Sequence, residues 1–231
     1  MKYYKILVNA KSCHGGNSEW FLPSKGKPGK WMPPVEGELK LCERGYHILK
    51  AGDILDWLKA DCEIYEVSPK GKVIYRGNKG ICRSARLARK LKFDDKIARS
   101  FACDCAERVL PIFEKIFPDD KRPRVCIETA RKFIFGLATQ KELDAARDAA
   151  WAAAWDAAGA AAWDAAWDAA WDAARDAARA AARAAARDAA WDAARAAARD
   201  AEKKWQTKRL QDYLYGRINA CKPKDVETAK K

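Results

Sequence analysis

From residue 144 to residue 200 the chain repeats the tetrad Asp-Ala-Ala-(Trp/Arg) without a slip in phase, alanine standing in for some of the aspartates. The fourth slot holds Trp151, Trp155, Trp163, Trp167, Trp171 and Trp191, arginine at seven other positions, and Gly159. Alanine has the highest helix propensity and the stretch contains no proline, so the backbone is expected to be helical throughout. A period of four does not match 3.6 residues per turn, and each tetrad drifts by ~40° around the axis. After ~18 residues the alanine face has turned to the opposite side, so a straight helix of ~85 Å cannot keep one face buried. The repeat must divide into shorter helices that pack together, or wrap a partner in a right-handed sense. Gly159 is the expected break, although it occupies a regular slot. The six Trp form a candidate partner surface.

Codon arithmetic offers a plain origin for the slot contents. Trp, Arg and Gly codons can differ in the first base alone, and Asp and Ala codons in the second alone. Slippage of a short DNA repeat would then generate the pattern, with the Trp rings serving as packing residues of an expanded scaffold. A Trp ladder can also stack bases, with Arg near phosphate. The interleaved aspartates oppose that use.

The other features bound the class. A chain of 231 residues suffices for one or two small domains. No uncharged apolar run approaches the ~18 residues of a membrane span. The N-terminus reads as a strand over residues 3–8 and lacks a signal-peptide cleavage site. Eight cysteines are scattered with no C-x-x-C pair, which points to reduced thiols in a cytoplasm. The net charge is +13, divided as −3 within the repeat and +16 outside it. Arg83, Arg86, Arg89, Lys90 and Lys92 concentrate part of that excess and are candidate nucleic-acid contacts, or the solvated face of a basic helix.

The pattern along the chain predicts a mainly α protein. Residues 1–80 mix strand and turn signals and read as a small α+β domain. Strands are expected at 3–8 and 39–42, a short helix at 51–60, and a hairpin turning at Pro69-Lys70-Gly71. Residues 81–231 read as an all-α domain. A basic amphipathic helix is expected at 83–91. The next is capped by Asp94 or Asp95 and kinked or restarted at Pro111, and another begins near Pro123.

Catalytic motifs are absent: there is no P-loop, G-x-S-x-G, H-E-x-x-H or dinucleotide fingerprint, and neither cofactor nor metal is assigned. Cys13-His14 with Cys42 and His47 matches no standard zinc spacing. Tyr46, His47 and Glu66 resemble the His/Tyr/Glu elements that hold NAD in ADP-ribosyltransferases. With Trp31 they make a candidate ligand pocket.

Two family resemblances follow from longer motifs. The run Trp31-Met32-Pro33-Pro34-Val35-Glu36-Gly37-Glu38-Leu39-Lys40-Leu41-Cys42-Glu43-Arg44-Gly45-Tyr46-His47, then Trp57 and Arg83-Ser84-Ala85-Arg86-Leu87, resembles a small N-terminal domain of unknown function in phage and environmental bacterial proteins. The runs Phe101-Ala102-Cys103-Asp104-Cys105-Ala106-Glu107-Arg108-Val109-Leu110-Pro111, Asp119-Asp120-Lys121-Arg122-Pro123-Arg124 and Ile127-Glu128-Thr129-Ala130-Arg131 are similar to a helical family of immunity proteins of toxin systems. Residues 205–214 resemble its closing amphipathic segment. The resemblance implies a non-enzymatic binding protein of a phage or mobile element, in the cytoplasm of a bacterial host, that occupies a toxin or defence factor. Nucleic-acid binding through residues 83–92 and a small-ligand site in the N-terminal domain are the alternatives. A membrane is not an expected partner; a second copy of the chain is a candidate one.

Overall fold

The fold is that of a computed structural model, which describes residues 1–12, 18–59, 61–175 and 177–220, and for 158–195 the backbone alone. Five strands, β1 (Tyr3–Val8), β2 (Lys11–Ser12), β3 (Tyr46–Ile48), β4 (Glu63–Arg76) and β5 (Lys79–Lys90), form one antiparallel sheet in the order β2-β1-β4-β5-β3. A 3-10 helix covers Ala51–Trp57. The α-helices are α1 (Asp95–Ile116), α2 (Arg122–Ile134), α3 (Gln140–Arg175) and α4 (Ala177–Leu214).

The expectation of a mainly α chain with an all-α C-terminal domain is overturned: this is an α+β fold with a five-stranded sheet. The error lies at residues 83–91. Arginines at 83, 86 and 89 imitate a helical period of three to four, yet residues 79–90 form β5. Pairing with β4 decides the matter, because tertiary contact overrides local propensity. The two strands meet in ten registered pairs from Arg76↔Lys79 to Tyr65↔Lys90. Their turn is the two-residue Gly77-Asn78, with Gly77 at φ +59°, and not Pro69-Lys70-Gly71. A positive φ at the first turn position suits the twist of a hairpin and favours glycine.

Gly71 has another role. Lys70 pairs with Ser84 and Val73 with Cys82, so Gly71 and Lys72 together oppose the single residue Arg83. This is a β-bulge, and Gly71 takes its left-handed position at φ +80°.

The chain forms two compact units, Met1–Ala98 with Lys203–Asn219, and Arg99–Glu202. In the first, both faces of the sheet are covered, so β1 shows no clean alternation and four successive residues are buried. One core joins Leu7, Tyr65, Val67, Cys82, Ala85 and Leu87 to Trp20 and Met32. Tyr4, Ile6 and Ile64 are buried as well, and the chain's return through α4 adds buried Leu210, Tyr213 and Leu214 to this unit. Leu49, just beyond β3, exchanges backbone hydrogen bonds of 2.8 Å with Tyr4, which curls the sheet back towards β1. The expected strand at 39–42 is a turn instead: the backbones of Lys40 and Arg44 bond to each other, and Cys42 adopts φ +69°.

In the second unit the helical reading of 144–200 holds for every described position, and Gly159 lies inside α3 without breaking it. Helix α1 likewise continues through Pro111. Trp151 and Trp155 are 68% and 66% exposed, while Ala153 between them is buried. At these two slots the alanine packs and the Trp faces water, contrary to a packing role. The side chains of Trp163, Trp167, Trp171 and Trp191 lie outside the described residues.

Helix α1 starts as its sequence requires. The Asp94 Oδ1 accepts the Ile97 N–H at 2.8 Å, satisfying one of the first-turn donors. Asp94→Ala should cost about 1 kcal/mol. It should appear as a lower urea midpoint at unchanged slope, with Asp94→Asn near wild type.

Candidate functional site

The bulge at Gly71 sits beside a groove of about 660 Å³ lined by Trp31, Met32, Pro33, Pro34, Glu38, Leu39, Lys70, Gly71, Lys72, Ile74, Arg83 and Ser84. Its far wall is held rigidly. Met32 N–H donates to Ala85 O and Val35 N–H to Arg83 O, both at 2.8 Å. Ser84 Oγ donates to Met32 O at 2.7 Å, Arg83 Nη1 to Val35 O at 2.6 Å, and Tyr46 Oη to Pro33 O at 3.0 Å. The Trp31 ring has the Arg86 guanidinium 4.7 Å from its centroid and Lys70 Nζ at 5.9 Å, within cation–π range.

Of the four residues read as a ligand pocket, Trp31 alone lines this groove. Tyr46 packs edge-on against Trp20, centroids 5.4 Å apart. His47 Nε2 accepts the Cys42 N–H at 3.1 Å, which leaves the neutral ring's proton on Nδ1. Burial, with Lys5 and Lys79 nearby, holds the imidazole below its usual pKa. Cys13 and His14, the other half of the zinc reading, lie outside the described residues.

Glu66 belongs to a different cluster. Its carboxylate accepts from Arg89 Nε at 2.5 Å and Tyr215 Oη at 2.5 Å, and pairs with Lys2 Nζ at 3.0 Å. The Tyr215 hydroxyl lies 3.0 Å from that of Tyr4. Burial pushes the Glu66 carboxyl up, but the bonds from Arg89, Tyr215 and Lys2 outweigh it and bring the pKa down to about 2. This arrangement ties residue 215 to β1, β4 and β5, and it suits a structural clamp.

The basic stretch 83–92 is not one surface. Arg89 pairs with Glu66, and Lys90 with Glu63. Arg83 lines the groove and Arg86 stacks on Trp31. Lys92 lies past the end of β5 and is exposed. The groove cations Lys70 and Lys72 escaped the sequence reading because the bulge that brings them opposite Arg83 depends on strand register.

In the second unit, arginines tie the helices together. Arg131 Nη2 donates to Asp104 Oδ1 at 2.8 Å and to Glu107 Oε2 at 2.5 Å, joining α2 to α1; both Arg131 and Asp104 are largely buried. Arg124 makes a bidentate pair with Glu114 at 2.6 Å. Arg122 reaches both Asp120 at 2.7 Å and Asp156 of α3 at 2.8 Å. Around these pairs Ile112, Ile116, Val125 and Trp155 are all exposed.

The family model of immunity protein Imm5 matches residues 63–203, more than half of the chain. The chain belongs to the immunity protein Imm5 family. No curated protein and no solved structure matches it. The Imm5 match opens at the first residue of β4 and takes in the bulge, β5 and the whole arginine-tied helical unit. The motif residues Asp104, Glu107, Arg122, Arg124 and Arg131 therefore hold the Imm5 helices together; none of them faces the groove. Among the described residues no helix is long and apolar enough to cross a membrane.

Glu66 has a carboxyl pKa depressed in the folded state, so its stabilisation is fully present above the unfolded value near 4.5 and is lost as pH falls towards 2. Glu66→Gln should remove about 2 kcal/mol of stability at pH 7 and flatten the stability curve between pH 4.5 and 2. Denaturant melts of the two proteins across that interval check the sign. Arg131→Met should cost about 3 kcal/mol, since it takes the guanidinium from the buried Asp104 carboxylate. Arg124→Met, at an exposed pair, should lose far less in the same melts.

Proposed function

We propose that the chain is a non-enzymatic immunity protein that neutralises a toxin polypeptide by binding it and covering part of its surface. The Imm5 match over residues 63–203 carries this reading. Support comes from the exposed apolar side chains of the matched helices. Val109, Ile112 and Ile116 lie at helical spacing on α1 and are 45%, 68% and 66% exposed. The pairs Arg124–Glu114 and Arg122–Asp156 bring that end of α1 near Val125 and Trp155. Exposed apolar side chains gathered in one region mark protein-interaction surfaces, and a Trp with neighbouring arginines has the composition of a binding hot spot. Of the Trp ladder, Trp151 and Trp155 are the members with exposed rings among the described side chains.

The test is co-expression with each polypeptide encoded beside this gene that arrests growth when expressed by itself. The chain should restore growth and elute with the polypeptide as one complex. Trp155→Glu with Ile112→Glu should weaken the complex at least about tenfold, as loss of central anchors does, while the helical circular dichroism is unchanged. Growth arrest despite full expression of the chain, with no complex in solution, would refute the reading.

A further inference from the structure

We propose that the groove beside the bulge receives an acidic, partly apolar peptide segment of the protein partner. The proposal rests on the immunity reading only for the class of partner.

Charge is the first argument. Lys70, Lys72 and Arg83 stand around the groove against the single carboxylate of Glu38, and Arg86 stacks on its Trp31 wall. None of these four cations pairs with a carboxylate among the described residues. Elsewhere on the same sheet the pattern is reversed: Arg89 and Lys90 are each bound to a glutamate. The Arg86 Nε is buried without a hydrogen-bond partner, and Arg83 spends one nitrogen on Val35 O. A carboxylate entering here would meet the Arg83 guanidinium and the two ammonium groups of Lys70 and Lys72. The overall charge of +13 favours the approach of such a segment.

Shape and preorganisation are the second argument. Half of the lining is apolar, contributed by Trp31, Met32, Pro33, Pro34, Leu39 and Ile74. Two prolines and the hydrogen bonds of residues 32–35 to β5 fix the wall before any ligand arrives, and preorganisation lowers the ordering penalty of binding. Apolar side chains of the segment would pack on these residues while its carboxylates meet Lys70, Lys72 and Arg83.

The alternative occupant, single-stranded nucleic acid, fits less well. Binding without sequence preference uses successive aromatic platforms for successive bases. Trp31 is the one aromatic in the lining, and Glu38 would repel a continuous phosphate backbone.

The test is fluorescence anisotropy with the full chain and a labelled peptide alternating glutamate with leucine, set beside its glutamine counterpart and a single-stranded oligothymidylate. The glutamate peptide should bind at least about tenfold tighter than the glutamine one. Lys70→Glu with Lys72→Glu should abolish that preference. Lys25→Glu with Lys27→Glu, the same change in net charge away from the groove, should leave it intact. Trp31→Ala should weaken both peptides; Trp31 is 39% exposed, so the fold is expected to tolerate the change. Thermal melts of all variants confirm folding. Equal binding of the two peptides, no binding of either, equal effects of the two lysine pairs, or preference for the oligothymidylate would overturn the proposal. If the Lys70/Lys72 variant still captures the toxin at full affinity, the groove assignment falls and the immunity reading stands. If the wild-type chain binds the glutamate peptide but captures no toxin, the immunity reading falls alone.

Discussion

The pairing of β4 with β5 is the constraint on which the first unit depends. These are the two longest strands, and every other strand adds to one of them: β1 to β4, with β2 beyond it, and β3 to β5. The segment at 29–35 also runs along β5 through backbone bonds to Leu87, Ala85 and Arg83. A one-residue slip in this hairpin would turn Leu87 and Ala85 away from the core they join. Two features pin the register, the two-residue turn at Gly77-Asn78 and the bulges at Gly71-Lys72 and Ala88. The bulge that fixes the register also shapes the groove, so fold and candidate site share one cause.

The helical unit is held together by different means. Helix α2 has no fully buried residue, so apolar burial alone does not fasten it. Alanine on α3 offers close approach but little area, as the buried Ala153 beside exposed Trp151 and Trp155 illustrates. Orientation then falls to Arg131, Arg124 and Arg122, whose forked donors match carboxylates in fixed geometry. Arg108 does the same between α1 and Glu202 of α4. The buried member of the set, Arg131 with Asp104, contributes most to specificity, because burial removes solvent screening. The exposed pairs mainly align helices that weak packing leaves free to slide.

Elements governed by local chemistry were legible in the sequence. Asp94 caps α1, Pro123 opens α2, and the alanine tetrads are helical wherever the backbone is described. Elements governed by pairing were not. Residues 79–90 carry arginines at helical spacing, and only the partner strand shows that they are extended. Cys42 and its neighbours have strand-like composition but close a turn, because Lys40 and Arg44 find each other. The site was legible in pieces. Trp31, Arg83 and Arg86 stood out by type, under two separate readings. Their common neighbourhood follows from the strand β5 that carries both arginines and the segment bonded alongside it. Tyr46, His47 and Glu66, grouped by residue type, instead have separate partners in Pro33, Cys42 and Arg89.

Charge placement joins these strands of argument. The repeat carries a net −3 and the rest of the chain +16, yet the excess is not spread evenly over the first unit. Where cations serve the fold they are neutralised: Lys2 and Arg89 by Glu66, Lys90 by Glu63, Lys203 by Asp56. At the bulge Lys70, Lys72 and Arg83 stand against the single carboxylate of Glu38, beside a largely apolar lining. Unneutralised cations crowded together repel one another, which costs the folded state free energy. An arrangement that matches acids to bases at the open end of the hairpin and leaves an excess of cations at its bulge places positive potential at a preformed groove. Such a field does little for folding, and it is the feature on which the proposed acidic segment would draw.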